Sequence, residues 1–210
     1  MEGLAERRPD EGLAHFWTIK SQVRAVGIDD GPFEKYKPGT SMIVGAVCRG
    51  GGWLDGVMRT DVEVDGDDAG TRIATMVNAS RHKGQIRVIF LNGITFGGFN
   101  TVDIARLNHE TNLPVIVVMR HRPDREGILV ALEKLPHQEQ RVAAMAHAGP
   151  VHAASGGKGK SVFLQVCGIS LEDAMKVVQV TSTRSVVPEP LRLAHLIASG
   201  VTLGDSRGGA

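Results

Sequence analysis

The chain has 210 residues, 42% hydrophobic and 22% charged, with 24 basic against 23 acidic side chains and a formal charge of +1. That balance speaks against a disordered chain and a globally basic nucleic-acid coat, leaves room for a local basic groove, and suits one domain with a full core. No apolar run reaches membrane-spanning length, Glu2, Glu6, Asp10 and Glu11 interrupt any signal-like start, and Cys48 and Cys167 sit far apart in apolar runs as expected buried thiols, so the expected location is cytoplasmic.

Residues 1–21 mix charge and alanine without a period and read as an arm ahead of a single domain, 22–210. The first strand, Arg24-Ala25-Val26-Gly27-Ile28-Asp29-Asp30, buries Val26 and Ile28 and ends in two carboxylates. Strand alternation sends Asp29 and Asp30 to opposite faces, and Gly31-Pro32 turns the chain. A carboxylate at a strand tip suits a metal ligand; the plainer alternative is a solvated turn pair.

Residues 42–48 read as a second strand, Gly50-Gly51-Gly52 as a turn and 53–65 as a third strand, together an antiparallel meander. Beyond Gly66, Asp67 and Asp68 precede Ala69, Ile73, Met76 and Val77 at helical spacing, and either Asp could cap that helix. A strand at 86–91, a glycine-bearing loop at 93–98, a helix near 102–109 and a strand at 115–119 form a parallel crossover unit. Arg120, His121, Arg122 and Arg125 cluster just beyond it.

Then come a polar helical region at 125–147, a flexible loop at 149–159, a strand at 162–166 and a helix at 170–178 capped by Ser170. Pro188 opens the last helix, which carries Leu191, Ala194, His195 and Ile197. The run 156–161 resembles a phosphate loop only superficially: the first glycine of such a motif would fall at Ala154, and a strand follows where a helix is required. It reads as a flexible basic loop whose Lys160 touches a phosphate backbone. The histidines show no zinc spacing.

Three antiparallel strands followed by parallel crossovers, with helices on the faces, are the layout of a ribonuclease H-like α/β sheet. By analogy with that architecture, the metal-binding positions fall at Asp29, at Asp68 or Asp65, and at Asn92. Mg²⁺ or Mn²⁺ suits oxygen donors and takes as few as one or two carboxylates plus a phosphate. Asn92 offers an amide oxygen without charge, which favours one cation over a two-ion clamp. The plain alternatives make Asp68 a helix cap and Asn92 a turn residue.

The octet Pro188-Glu189-Pro190-Leu191-Arg192-Leu193-Ala194-His195 closely resembles the C-terminal motif of endonuclease V. Residues 166–174 resemble that family's strand-to-helix turn, and Val26-Gly27-Ile28-Asp29 its first strand. A closer resemblance, to the archaeal endonuclease dU family, rests on Gly27-Ile28-Asp29-Asp30-Gly31-Pro32-Phe33, Val64-Asp65-Gly66-Asp67-Asp68-Ala69 and Gly93-Ile94-Thr95-Phe96-Gly97-Gly98-Phe99-Asn100.

This resemblance implies Asp29 as first metal carboxylate and His195 as active-site histidine. It puts Asn92 where endonuclease V has a second aspartate, and Asp65 and Asp68 nearest to its glutamate ligand. The Pro-Tyr-x-Pro-Gly wedge of endonuclease V is missing. The implied activity is Mg²⁺-dependent hydrolysis of phosphodiesters in deaminated, uracil-containing DNA, with Arg120, Arg122, Lys160 and Arg192 on the DNA backbone. Two rivals remain: a catalytically weakened nucleic-acid-binding or regulatory protein, and a small-molecule phosphohydrolase.

Overall fold

Strand β1 (Arg24–Asp30) is apolar on both faces, with Ala25 to Asp29 all buried, so it needs cover above and below and neighbours on both edges. The computed structural model, which describes residues 19–34 and 37–206, gives it all four. Most of the expected arm lies outside those residues.

Strands β2 (Thr40–Arg49) and β3 (Trp53–Glu63) extend from one edge of β1 as the expected antiparallel meander. On the other edge lie β4 (Val88–Asn92) and β7 (Val115–Met119), both parallel to β1. A small hairpin, β5 (Thr95–Phe96) with β6 (Asn100–Thr101), and helix α2 (Ile104–Thr111) connect them. The five strands run β3-β2-β1-β4-β7, three antiparallel and then two parallel to β1, in keeping with the expected ribonuclease H-like layout.

Beyond β7 the sheet departs from that expectation. The polar region at 125–147 is two helices, α3 (Arg125–Leu132) and α4 (Gln138–His147). The expected flexible loop contains strand β8 (His152–Ser155) and a 3-10 turn (Gly157–Gly159), and β8 forms a hairpin with β9 (Ser161–Cys167). That hairpin reverses the chain, so β9 lies antiparallel to β7 and is not another parallel crossover. Gly157 is buried and donates to the Val186 carbonyl at 2.9 Å, which ties the turn to the segment ahead of the last helix. A Cβ there would meet the Ser185 carbonyl oxygen at 1.9 Å, so Gly157 serves close packing.

Helix α1 (Ala69–Asn78) and α2 cover one face of the sheet; α5 (Leu171–Thr181) and α6 (Glu189–Leu203) cover the other. Ser170 caps α5 by accepting from the Asp173 amide, as its position suggests. Helix α6 comes unusually close to β1. At Gly27 a Cβ would stand 2.2 Å from the Pro190 carbonyl carbon, and the seam continues through Val44, Ala46, Ala194 and Ala198. Small residues at this seam let backbone approach backbone, and that fixes which α6 side chains reach the end of β1. Among the described residues no helix is long and apolar enough to cross a membrane.

Candidate active site

Because β1, β4 and β7 run parallel, their carboxyl ends share one edge of the sheet, the usual place for ligands in α/β proteins. Asp29, Asn92 and Arg120 stand at or just beyond those three ends. Asp29 is only 2% exposed. Its Oδ1 accepts from Asn92 Nδ2 at 3.0 Å and from the Asp30 amide at 3.0 Å, and its Oδ2 lies 3.0 Å from His195 Nδ1. A carboxylate accepts, so the imidazole donates from Nδ1. The close seam of α6 on β1 is what carries His195 to this carboxylate.

Asp30 is a site residue that alternation alone does not find. Its Oδ2 accepts from the Gly97 amide at 2.7 Å. Its pKa is pushed up to about 6, first by burial and then by the charge of Asp29; hydrogen bonds from backbone amides and the nearness of His195 oppose the rise. Alternation tells which way a Cβ leaves the sheet, but two charges on adjacent residues couple whichever faces they start from.

Asp65 and Asp68 are committed one step away. Asp65, at φ 54°, accepts from the Phe99 amide through Oδ1 at 2.8 Å. Asp68 Oδ1 accepts from the Glu63 amide at 3.1 Å and from Asn100 Nδ2 at 2.8 Å, while its Oδ2 pairs with Arg72. Asp68 occupies the cap position of α1 without capping it; Asn100 Oδ1 does so by accepting from the Ala69 amide at 2.9 Å. The expected cap is therefore supplied from β6, because the Asp68 carboxylate turns back toward β3. Arg141, buried on α4, donates to the carbonyls of Asp65, Phe99 and Pro136. Burial, the main cause, lowers its pKa, and Asp65 and Asp67 oppose that.

The expected DNA-facing cations divide. Arg192 forms a two-pronged pair with the buried Glu189, at 2.7 to 3.0 Å, so its guanidinium is engaged inside the molecule. Arg122 and Lys160 are exposed. Arg120 is half-buried, and its Nη2 is fully buried without a hydrogen-bond partner among the described residues. Of the two thiols, Cys48 is buried and pushed up to about 12, chiefly by that burial, whereas Cys167 is half-buried and not fully buried as expected.

Among the described residues no group of three or more His, Cys, Asp or Glu side chains is arranged to hold a metal ion. The donors that do meet are the carboxylate of Asp29 and the amide of Asn92, with His195 and Asp30 beside them. That is too few protein ligands for a zinc cage, but it fits one hard cation that keeps most of its water. A cavity of about 380 Å³ between α1, α2 and α4 is lined by residues such as Asp67, Asp103, Arg106 and Gln140, and does not include this centre.

A family model described as Endonuclease dU matches residues 21–202. A UPF0215 protein of Methanothermobacter thermautotrophicus is 51% identical over 197 residues, covering 93% of this chain and 96% of that protein. One of Pyrococcus furiosus is 41% identical over 190 residues, covering 90% and 96%. A crystal structure of an Archaeoglobus fulgidus protein matches with a TM-score of 0.77 at 38% identity, over 85% of this chain and 98% of that one. Endonuclease V of Bacillus subtilis matches with a TM-score of 0.61 at 12% identity, over 89% and 84%. Endonuclease V of Ciona intestinalis, in complex with DNA containing an inosine, gives 0.55 at 16% identity, over 87% and 86%. The two endonuclease V structures share the fold of this chain.

Proposed function

The chain belongs to the endonuclease dU family, and from that premise we propose that it is a Mg²⁺- or Mn²⁺-dependent endonuclease that hydrolyses phosphodiesters in deaminated, uracil-containing DNA. The observation that carries this reading is the buried Asp29, joined to Asn92 and His195 where β1 and β4 end side by side. The complex of a structurally similar endonuclease V with inosine-containing DNA supports a nucleic-acid substrate.

Asp29 and Asn92 would hold the cation. Once bound, it would polarise the scissile phosphate and acidify an attacking water. The other tasks fall to the chain itself. Asp29 orients the His195 ring through Nδ1, so proton exchange with water or a leaving oxygen belongs to Nε2. Arg120, half-buried just beyond the end of the neighbouring strand, adds a positive charge suited to a phosphate. The exposed Arg122 and Lys160 add charge for the DNA backbone.

One observation favours the second reading, a nucleic-acid-binding protein with weakened catalysis: the Asn92 amide hydrogen-bonds Asp29 where endonuclease V has a second carboxylate. A single experiment separates the two. Mg²⁺ titration by calorimetry is run beside cleavage of uracil-containing, inosine-containing and unmodified oligonucleotides by the wild type and Asp29→Asn. The nuclease reading expects metal-dependent cleavage that the variant loses. Cleavage at the parent rate by Asp29→Asn overturns the site, and Mg²⁺ binding without cleavage of any oligonucleotide supports the second reading.

A further inference from the structure

The hairpin β5-β6 begins immediately after Asn92, through Gly93 at φ 80°, whose surroundings are open. Each of its strands has two residues, and so short a hairpin cannot hold its own position in water. Three separate elements hold it. From β1, Asp30 accepts the Gly97 amide at 2.7 Å. From the β3-α1 junction, the Asp65 amide donates to the Gly97 carbonyl at 2.9 Å, and the Asp65 carboxylate accepts the Phe99 amide. From α4, Arg141 spans the carbonyls of Asp65 and Phe99. The fully buried Asn100 finishes the lock by bonding to the Glu63 carbonyl, the Asp68 carboxylate and the first amide of α1.

On the nuclease reading above, we infer that this hairpin is a preset wall beside the Asp29-Asn92 centre that seats the nucleotide next to the scissile phosphate. Asp30, Asp65 and Arg141 are the positioning residues that set its place. The geometry points this way because the clamp acts on the one segment that leaves directly from Asn92, and its β1 anchor adjoins Asp29. It also gives Asp65 and Asp68 work that needs acceptor oxygens and not a cation. Moving the wall would weaken nucleotide binding while leaving the reacting groups in place, so KM would rise with kcat nearly constant.

The test compares two replacements at Asp65, both tolerant of its positive φ. Asp65→Asn keeps an acceptor oxygen for the Phe99 amide and removes the charge; Asp65→Gly removes both. On the full chain, four quantities are measured: amide hydrogen exchange across 95–101, oligonucleotide affinity by fluorescence anisotropy, Mg²⁺ affinity by calorimetry, and KM and kcat. Asp65→Asn should stay near wild type in all four. Asp65→Gly should expose the Phe99 amide to exchange and weaken oligonucleotide binding and KM by about tenfold or more, with Mg²⁺ affinity unchanged and kcat within a few-fold. Arg141→Lys, which cannot span two carbonyls, should reproduce that pattern if Asp65→Gly folds poorly.

Loss of Mg²⁺ binding in Asp65→Asn would make Asp65 a ligand and overturn the inference. So would a loosened hairpin with unaltered oligonucleotide affinity, or an unchanged Phe99 amide in Asp65→Gly. If the wild type cuts nothing, the proposed function fails, while exchange and anisotropy still decide the role of the hairpin.

Discussion

Asp29 and Asn92 meet through one N–H···O bond of 3.0 Å, and much of the site's character depends on its being an amide. A carboxylate at position 92 would put two negative groups where one donor and one acceptor now stand, and the pair would need a cation or a proton. Asn92→Asp is therefore expected to tighten Mg²⁺ binding at least about tenfold and, without metal, to lose about 1–3 kcal/mol of stability; calorimetry and denaturation in EDTA measure the two. Unchanged metal affinity would remove Asn92 from the site. Asp30 gives a second residue-level prediction. Its pKa is raised from 3.8 to about 6, so the folded chain holds a proton there that the unfolded chain has released. The contribution to stability is present below about pH 4 and declines as pH rises through about 6. In metal-free protein, Asp30→Asn, which keeps an acceptor for Gly97, should gain about 1–3 kcal/mol over the parent at pH 7 to 8 and little at pH 4. An equal difference at both pH values would show that Asp30 is not the group responsible. Asp29 and His195 were legible because short motifs carried them. Asp30 was not, since period-two reasoning treats neighbouring strand residues as independent.

At the scale of elements, the seam between α6 and β1 ties packing to chemistry. Gly27→Ala would force its Cβ into the Pro190-Leu191 backbone, with contacts of 2.2 and 2.4 Å that no rotamer can relieve. The helix must shift, so a loss of about 2–4 kcal/mol is expected from overpacking, together with reduced cleavage as His195 leaves Asp29; a melting curve and a rate assay check both. A variant of normal stability and full activity would show that this close approach does not position the histidine. The strands around the seam could be read from continuous apolar runs, and α6 from its proline start. Strand β8 could not: His152–Ser155 has no alternation and lies in a stretch rich in glycine, alanine and serine. Without β8 there was no hairpin to reverse the chain, and so no way to see that β9 runs antiparallel to β7. The clamp on β5-β6 escaped for a related reason. Its contacts join residues 31 to 76 positions apart, and only folding makes Asp65, Phe99 and Arg141 neighbours.

For the whole molecule, a formal charge of +1 says little about which cations are available to a polyanion. Ion pairing decides that. Arg192 neutralises Glu189 and Arg24 hydrogen-bonds Asp55, so these two are compensated, whereas Arg49, 3.5 Å from the same carboxylate, shares a charge already taken. Arg120, Arg122 and Lys160 remain beyond the end of β7 and before the start of β9, which lie side by side because Met119 pairs with Phe163. Lys158, exposed in the adjoining turn, joins them. Such a footprint should release about three to five counterions, so affinity for duplex DNA should fall roughly 40- to 500-fold between 50 and 200 mM salt. Arg122→Ala and Lys160→Ala should each flatten the logarithmic slope by about one. Arg192→Ala should leave the slope alone while lowering stability, because it strands a Glu189 side chain only 3% exposed. Anisotropy titrations at several salt concentrations, with a melting curve for each variant, separate these outcomes. A slope that responds to Arg192 and not to Arg122 or Lys160 would move the DNA path off the β7-β9 end and onto α6.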